Sequence, residues 1–138
     1  MLHTKRVSTR GTSPTKFIEL KRVLDKLHGP RGCQWDKKQT HVSIIPYLKE
    51  EADEFIAEIR AKDFEHMKEE LGDLLLQVMF HAKIAAKDSR FDIEDVIATL
   101  IRKLKRRHPH VFGKTKVKSI RDVMINWRKI KAREKKRR

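Results

Sequence analysis

Apolar residues recur every three or four positions along five segments of the chain, which is the spacing of amphipathic helices. Polar stretches, or stretches that contain glycine and proline, separate these segments. The sequence shows no strand-like alternation, internal repeat or low-complexity tract. The pattern therefore predicts an all-α fold.

The first two predicted helices are joined by a loop over residues 29–40. Ser13 is the expected cap of the first helix and Pro14 lies in its first turn, while a Gly-Pro pair ends it. The second helix covers about residues 41–61. Its expected cap is Ser43, which places a proline in the first turn, where proline is tolerated.

The third predicted helix covers about residues 64–87, with Asp63 as its cap. Gly72 inside it costs roughly 1 kcal/mol relative to alanine, so we expect a backbone or a ligand to approach closely there. Within residues 74–80 only Gln77 is polar. A helix that is apolar all round is buried all round, which here favours burial against a second subunit.

Two further helices complete the prediction. The fourth covers about residues 93–107, is capped by Asp92 and ends before Pro109. Ser119 and Asp122 have the spacing of a capping box, which opens a fifth helix.

Carboxylates gather on the second and third helices. Glu51 and Glu54 lie one turn apart on one flank of the second helix, and Glu70 and Asp73 repeat that spacing on the third. A short turn makes the two helices antiparallel neighbours, so these four side chains can converge on one point. Ligand sets made only of oxygen atoms favour Mg²⁺ or Mn²⁺. Glu50 lies on a different side of the second helix and is expected to be solvated.

The acidic residues could also form an ordinary solvated helix surface without a metal. Glutamate-rich helix surfaces are common and usually face solvent. A ferritin-like di-iron site is disfavoured, because it needs His three residues after Glu on two helices and no Glu in the chain has such a partner.

A basic cluster ends the fourth predicted helix. Lys103 and Arg107 share one face and Arg106 lies one turn from Lys103, so the three could hold phosphate oxygens. Cations also complement a helix C-terminus without any ligand. Trp127, like Trp35, could stack on a base or belong to the core. The histidines lack zinc-like spacing and are interpreted as structural.

Composition and charge restrict the class of protein. The net charge is +15, and residues 128–138 contribute +7 from eight basic side chains and one glutamate. We therefore predict a basic disordered arm over residues 1–13 and a basic tail over residues 132–138, through which nucleic acid could bind. No apolar run reaches the length of a membrane span. The lone Cys33 fits a reducing cytoplasm.

Five ordered segments resemble the MazG-type nucleoside triphosphate pyrophosphohydrolases. GCQWDKKQT is similar to the family's GCPWDxxQT, with Gln34 in place of proline, and IPYLKEEADE is similar to PYxxEExxE. EELGDLLLQVMFHA resembles the ExxD helix, KLKRRHPHVFG a further characteristic segment, and WRKIKAREK the motif WxxIKxxEK. The resemblance covers roughly residues 17–131, and a domain is predicted over residues 14–131. It is similar to the N-terminal type of the family's two-domain members.

The resemblance implies an antiparallel helical bundle with four core helices and a C-terminal helix, assembled as a homodimer or higher oligomer. It further implies Mg²⁺-dependent hydrolysis of NTPs to NMP and pyrophosphate. The expected roles are metal ligation by Glu51, Glu54, Glu70 and Asp73; catalytic support from Glu50 and Glu51; phosphate binding by Lys103, Arg106 and Arg107; and nucleotide contact by Trp127 and Lys131. A nucleic-acid-binding or ribosome-associated module on the same scaffold is the alternative.

Overall fold

A computed structural model describes residues 15–138 of the chain. In that range the regular secondary structure is all α-helix and there is no strand, as predicted. The helices are α1 (Thr15–Leu27), α2 (Gln34–Lys38), α3 (Ile45–Ala61), α4 (Phe64–Lys87), α5 (Ile93–Arg107), α6 (Pro109–Phe112) and α7 (Ile120–Lys136). The predicted arm and the predicted cap at Ser13 and Pro14 lie outside the described residues. No helix of residues 15–138 has the length and apolar character required to cross a bilayer.

The chain divides into two compact units, one ending at Arg90 and the other covering Phe91–Arg138. In the first unit, α3 and α4 form a hairpin and α1 packs against α4. Its buried apolar core consists of Leu24, Ile44, Met79, Phe80, Ala82 and Ala85. In the second unit, α5 packs against α6 and α7, and none of these three helices contains a fully buried residue.

The α3–α4 hairpin turns through only two residues. Lys62 takes a left-handed conformation with φ of 56°, and its backbone N–H closes the last turn of α3. Asp63 then caps α4 by accepting a hydrogen bond from the backbone N–H of His66 at 3.2 Å. This tight connection confirms the predicted cap and start of α4, and it sets α3 and α4 side by side.

The entry to α3 differs from the prediction. Helix α3 begins at Ile45 with Ile44 as its cap, and no side chain caps it. The predicted cap, Ser43, was wrong: its hydroxyl accepts a hydrogen bond from the backbone N–H of Thr40 at 2.9 Å and donates one to the Gln39 side chain at 2.8 Å. Serine competes well for local turn hydrogen bonds, and here the turn before the helix takes the hydroxyl.

Two short helices were not predicted. Helix α2 lies within the segment expected to be a loop, and α6 follows directly after α5. Gly32 makes the approach to α2 feasible, because a Cβ at that position would overlap the Leu27 carbonyl oxygen. At Gly72, no described atom outside its chain neighbours and the nearby backbone of its own helix lies within 4 Å of where a Cβ would be, so the expected approach of a ligand or a second backbone stays a prediction.

Candidate active site

The α3–α4 hairpin brings an acidic cluster together, which consists of Glu51, Glu70 and Asp73. Each offers a carboxylate oxygen, and these oxygens all lie within 4.8 Å of one another. Glu51 comes from α3 and the other two residues from α4, one helical turn apart. All three are half-buried. The hairpin therefore concentrates negative charge away from full solvation.

Burial leaves this cluster electrostatically unsatisfied. The Oε2 atoms of Glu51 and Glu70 are buried without a hydrogen-bond partner. Desolvation, together with the neighbouring carboxyl groups of Glu70, Asp73 and Glu54, raises the pKa of Glu51 to about 8. Desolvation also raises the pKa of Glu70. The cluster thus takes up a proton or a cation near neutral pH.

The other two predicted acidic residues occupy different positions. Glu54 is exposed, but its carboxyl group lies close enough to raise the pKa of both Glu51 and Glu70. It therefore borders the acidic cluster. Glu50 is exposed, as its position on α3 predicted, and it is not among the converging oxygens.

The donor set fits a hard divalent cation. Ionised carboxylates only accept hydrogen bonds, so the buried Oε2 atoms of Glu51 and Glu70 need a positive partner rather than another acceptor. Three carboxylates within 4.8 Å supply the oxygen ligands that such an ion prefers. These acidic groups could hold a metal ion.

A second group of possible ligands lies at the hairpin turn and was not predicted. One ligand atom from each of Glu58, Asp63 and His66 lies within 4.8 Å of the others. Asp63 already accepts hydrogen bonds from the backbone and the ring of His66. The hydrogen bond to Asp63 raises the pKa of His66, which favours an imidazolium. Asp63 and His66 therefore already satisfy each other at the helix cap.

In the second unit, cations from α5 and α7 surround a cavity of about 620 Å³. The predicted residues Lys103, Arg106, Arg107 and Lys131 all line it, and Thr99 adds a hydroxyl. Lys103, Arg106 and Arg107 lie at the end of α5, as the sequence spacing predicted, and Lys131 reaches the same cavity from α7. The lining has the positive charge and the donors that bind a phosphate chain.

Glu134 joins two of these arginines and was missed as a site residue. Its Oε1 atom accepts a hydrogen bond from Nε of Arg106 at 2.7 Å, and its Oε2 atom accepts one from Nη2 of Arg107 at 2.8 Å. The hydrogen bond from Arg107, followed by that from Arg106, lowers the pKa of Glu134 to about 2. The available signal was that Glu134 is the sole acidic residue among residues 128–138.

Trp127 packs against Arg107. The guanidinium carbon of Arg107 lies 4.9 Å from the Trp127 ring centroid, and the His108 ring meets the indole edge-on at 5.2 Å. Trp127 is half-buried. Its ring supports Arg107 within the second unit, and contact with a nucleotide base stays a prediction.

Several aromatic and imidazole side chains of the first unit pack against each other. Trp35 lies on α2 and meets the rings of Tyr47 and Phe80 edge-on, with centroids 5.8 and 6.2 Å away. His41 and His81 stack in parallel with their Nδ1 atoms 2.8 Å apart. These contacts join the segments around α2 and α3 to α4.

Comparison with known proteins places these motifs in a family. A sequence profile of the MazG nucleotide pyrophosphohydrolase domain matches residues 39–112. The chain is 55% identical over 119 residues to "Nucleoside triphosphate pyrophosphohydrolase/pyrophosphatase MazG" of Thermotoga maritima, covering 86% of this chain and 45% of that protein. It is 42% identical over 114 residues to "Nucleoside triphosphate pyrophosphohydrolase" of Escherichia coli K12, covering 82% of this chain and 43% of that protein.

A solved structure shares the fold. The crystal structure of a MazG-related protein from Thermotoga maritima superimposes with a TM-score of 0.67 at 25% identity, covering 86% of this chain and 98% of that one. The chain spans less than half the length of the two curated relatives described above.

Proposed function

The chain belongs to the MazG nucleotide pyrophosphohydrolase domain family, and on that premise we propose that it hydrolyses nucleoside triphosphates to nucleoside monophosphate and pyrophosphate. Water attacks the α-phosphorus, and pyrophosphate leaves. The observation that carries this proposal is the convergence of Glu51, Glu70 and Asp73 within 4.8 Å, with buried oxygens that lack a partner. Such a cluster has a chemical purpose when it binds a cation that also binds phosphate.

The metal in this proposal is Mg²⁺, with Mn²⁺ as a substitute. Glu51, Glu70 and Asp73 would hold it, and Glu54 at the border of the acidic cluster would complete the set. When bound, Mg²⁺ supplies charge neutralisation for the phosphate chain and lowers the pKa of a coordinated water.

A carboxylate of α3 orients the attacking water and takes its proton. Glu51 suits this role through a carboxylate oxygen that the metal would leave free, because its side chain lies within the acidic cluster. Glu50 is exposed one residue away and is the second candidate.

The cations of the second unit bind the phosphates. Lys103, Arg106 and Arg107 line the 620 Å³ cavity and would stabilise charge on the leaving pyrophosphate. Lys131 and Trp127 would contact the rest of the nucleotide.

The test is a panel of canonical and modified NTPs and dNTPs with Mg²⁺, in which pyrophosphate and orthophosphate release are measured separately. Pyrophosphate as the primary product, dependent on the divalent cation, is the expected result. Orthophosphate as the primary product, or turnover that persists in EDTA, contradicts attack at the α-phosphorus with Mg²⁺.

A second candidate function is nucleic-acid binding by the basic end of α7. Helix α7 runs to Lys136, so most of the predicted tail, residues 132–138, is helical. Seven net positive charges over residues 128–138 favour a polyanion. Replacement of Arg128, Lys129 and Lys136 by glutamine removes three of these cations, none of which lines the 620 Å³ cavity. A nucleic-acid binder then loses affinity with a reduced salt dependence, whereas an NTP hydrolase keeps its turnover.

Assembly with a second copy of the chain forms part of the same proposal. The flank of α4 that carries Leu71, Leu75 and Val78 is exposed in the described chain, and Ile56 and Ile59 are exposed on α3. Exposed apolar area of this kind costs free energy in water, and a second copy that presents the same flank would cover it. Gly72 lies beside this flank with open space around it, which permits close approach.

A further inference from the structure

We propose that Glu134 is a positioning residue that sets the two guanidinium groups of Arg106 and Arg107 for phosphate binding in the α5–α7 cavity. This inference rests on the proposed function, since it takes the phosphate chain of a nucleotide as the ligand. It assigns a role to an acidic residue at the centre of a basic surface.

The contacts of Glu134 show how one carboxylate can orient two arginines. Arg106 uses its Nε atom for Glu134, at 2.7 Å, and its two terminal amino groups have no hydrogen-bond partner among the described residues. Arg107 uses its Nε edge and Nη2 atom, at 3.3 and 2.8 Å. The carboxylate therefore holds both guanidiniums by the inner edge and leaves donors for an anion.

Burial makes this arrangement more rigid than a surface ion pair. The side chains of Arg107 and Glu134 are only 12% and 21% exposed, whereas that of Arg106 is 47% exposed. The ring of Trp127 lies against the guanidinium of Arg107 on a further side. Arg107 is thus fixed by two contacts, and Arg106 is fixed at Nε while its outer end reaches solvent. Preorganised donors bind a phosphate with less loss of side-chain entropy.

The sign of one measurement separates positioning from simpler roles. If Glu134 acted only through its charge, its removal would make the cavity more positive and tighten anion binding. If it only fastened α5 to α7, removal would lower the melting temperature and leave the affinity for pyrophosphate unchanged. Positioning predicts the opposite sign: removal weakens anion binding although the net positive charge rises.

The experiment compares Glu134→Gln and Glu134→Asp with the wild-type chain. Inorganic pyrophosphate is titrated calorimetrically with Mg²⁺ present, and kcat and KM are measured for one NTP. For Glu134→Gln we expect the Kd of pyrophosphate and the KM to rise about tenfold, with kcat changed by less than about threefold. Glu134→Asp keeps the charge, so we expect it to recover affinity to within about threefold of wild type.

Two further variants act as controls. Glu19→Gln breaks an exposed ion pair with Lys16 on α1 and should change neither Kd nor KM. Arg106→Ala should weaken pyrophosphate binding in the wild-type background and have little further effect in Glu134→Gln, because the two residues act as a unit.

Several results would overturn the inference. Unchanged or tighter pyrophosphate binding by Glu134→Gln would overturn it. The absence of any pyrophosphate binding by the wild-type chain would also overturn it. If Glu134→Gln does not fold, as judged by circular dichroism, Arg106→Lys decides, because lysine keeps the positive charge but lacks the guanidinium that Glu134 holds by its Nε atom. Pyrophosphate affinity and KM equal to those of the wild-type chain in Arg106→Lys would overturn the inference. If Glu134→Gln weakens pyrophosphate binding but the wild-type chain hydrolyses no NTP, the proposed function is contradicted and this inference stands.

Discussion

Glu51 and Glu70 place carboxylate oxygens within 4.8 Å of each other across the α3–α4 hairpin, and one oxygen of each is buried without a hydrogen-bond donor. Two ionised carboxylates in that relationship repel each other. The fold keeps them together because α3 and α4 are connected by two residues and packed along their lengths. A proton or a cation must therefore accompany the folded hairpin near neutral pH.

The first prediction concerns stability without metal. Because the pKa of Glu51 is raised in the folded chain, the folded state binds more protons than the unfolded state between the ordinary glutamate pKa and about 8. Stability in EDTA should therefore be highest at the acidic end of this window and fall as the pH rises towards 8. Thermal melts from pH 5 to 8.5 measure this, and Glu51→Gln should flatten the profile and melt higher at pH 8.

Addition of Mg²⁺ to the same melts is the matched test. The ion replaces the proton, so the loss of stability towards pH 8 should disappear in the wild-type chain and persist in Asp73→Asn. If Mg²⁺ leaves the melting temperature of the wild-type chain unchanged at pH 8, this would contradict a metal site at Glu51, Glu70 and Asp73.

The second prediction concerns turnover. Glu54→Ala and Asp73→Ala should lower Mg²⁺-dependent NTP hydrolysis by about 100-fold or more while the far-ultraviolet circular dichroism stays helical, because each removes an oxygen from the metal environment. Glu69→Ala is the control, since Glu69 is an exposed glutamate of α4 outside the acidic cluster. Full activity in the Asp73 variant, or an equal loss of activity in the Glu69 variant, would contradict the assignment of these carboxylates to a metal site.

The third prediction concerns assembly. Leu71 is 50% exposed on the apolar flank of α4, so Leu71→Glu should convert a dimer to monomers without unfolding α4. Light scattering coupled to size exclusion gives the mass. Val42→Glu is the control, because Val42 is 74% exposed in the turn before α3 and lies outside that flank. A wild-type chain that elutes as a monomer at every concentration would rule the dimer out.

The fourth prediction concerns the hairpin cap. The hydrogen bond to Asp63 raises the pKa of His66, so this pair stabilises the fold fully below the ordinary histidine pKa and the effect is lost as the pH rises through the raised value. Asp63→Asn keeps a capping oxygen but removes the charge. It should lower the urea midpoint at pH 6 by more than at pH 9, whereas Asp63→Ala should be destabilising at both. Equal midpoint shifts for Asp63→Asn at the two pH values would show that charge plays no part.

Sequence periodicity predicted the long helices well because their signals are redundant. Helix α4 has a cap at Asp63 and α5 has one at Asp92, and each continues with several turns of apolar residues, so the predicted starts match the structure. Helices α2 and α6 span five and four residues, which is too short for any periodicity to show. Ser43 failed as a cap because a serine before a helix has several backbone partners within reach.

The acidic and basic residues were predictable as types, but their environments were not. Helical spacing placed Glu51 and Glu54 on one flank, yet only the packing of α3 against α4 buries an oxygen of Glu51 and leaves Glu54 exposed. Glu134 lies 27 residues after Arg107, and no rule of local spacing connects them. Such pairings depend on how α7 returns along α5, which is a tertiary property.

The two-residue connection at Lys62 and Asp63 also restricts how this region can vary in length. Insertion of one residue into the first turn of α4, directly after its cap at Asp63, would turn the rest of α4 by about 100° and shift it by about 1.5 Å relative to α3. Glu70 and Asp73 would then leave the flank that faces Glu51, although every residue of the acidic cluster would still be present. A single inserted residue at the start of α4 would therefore separate the carboxylates in one step.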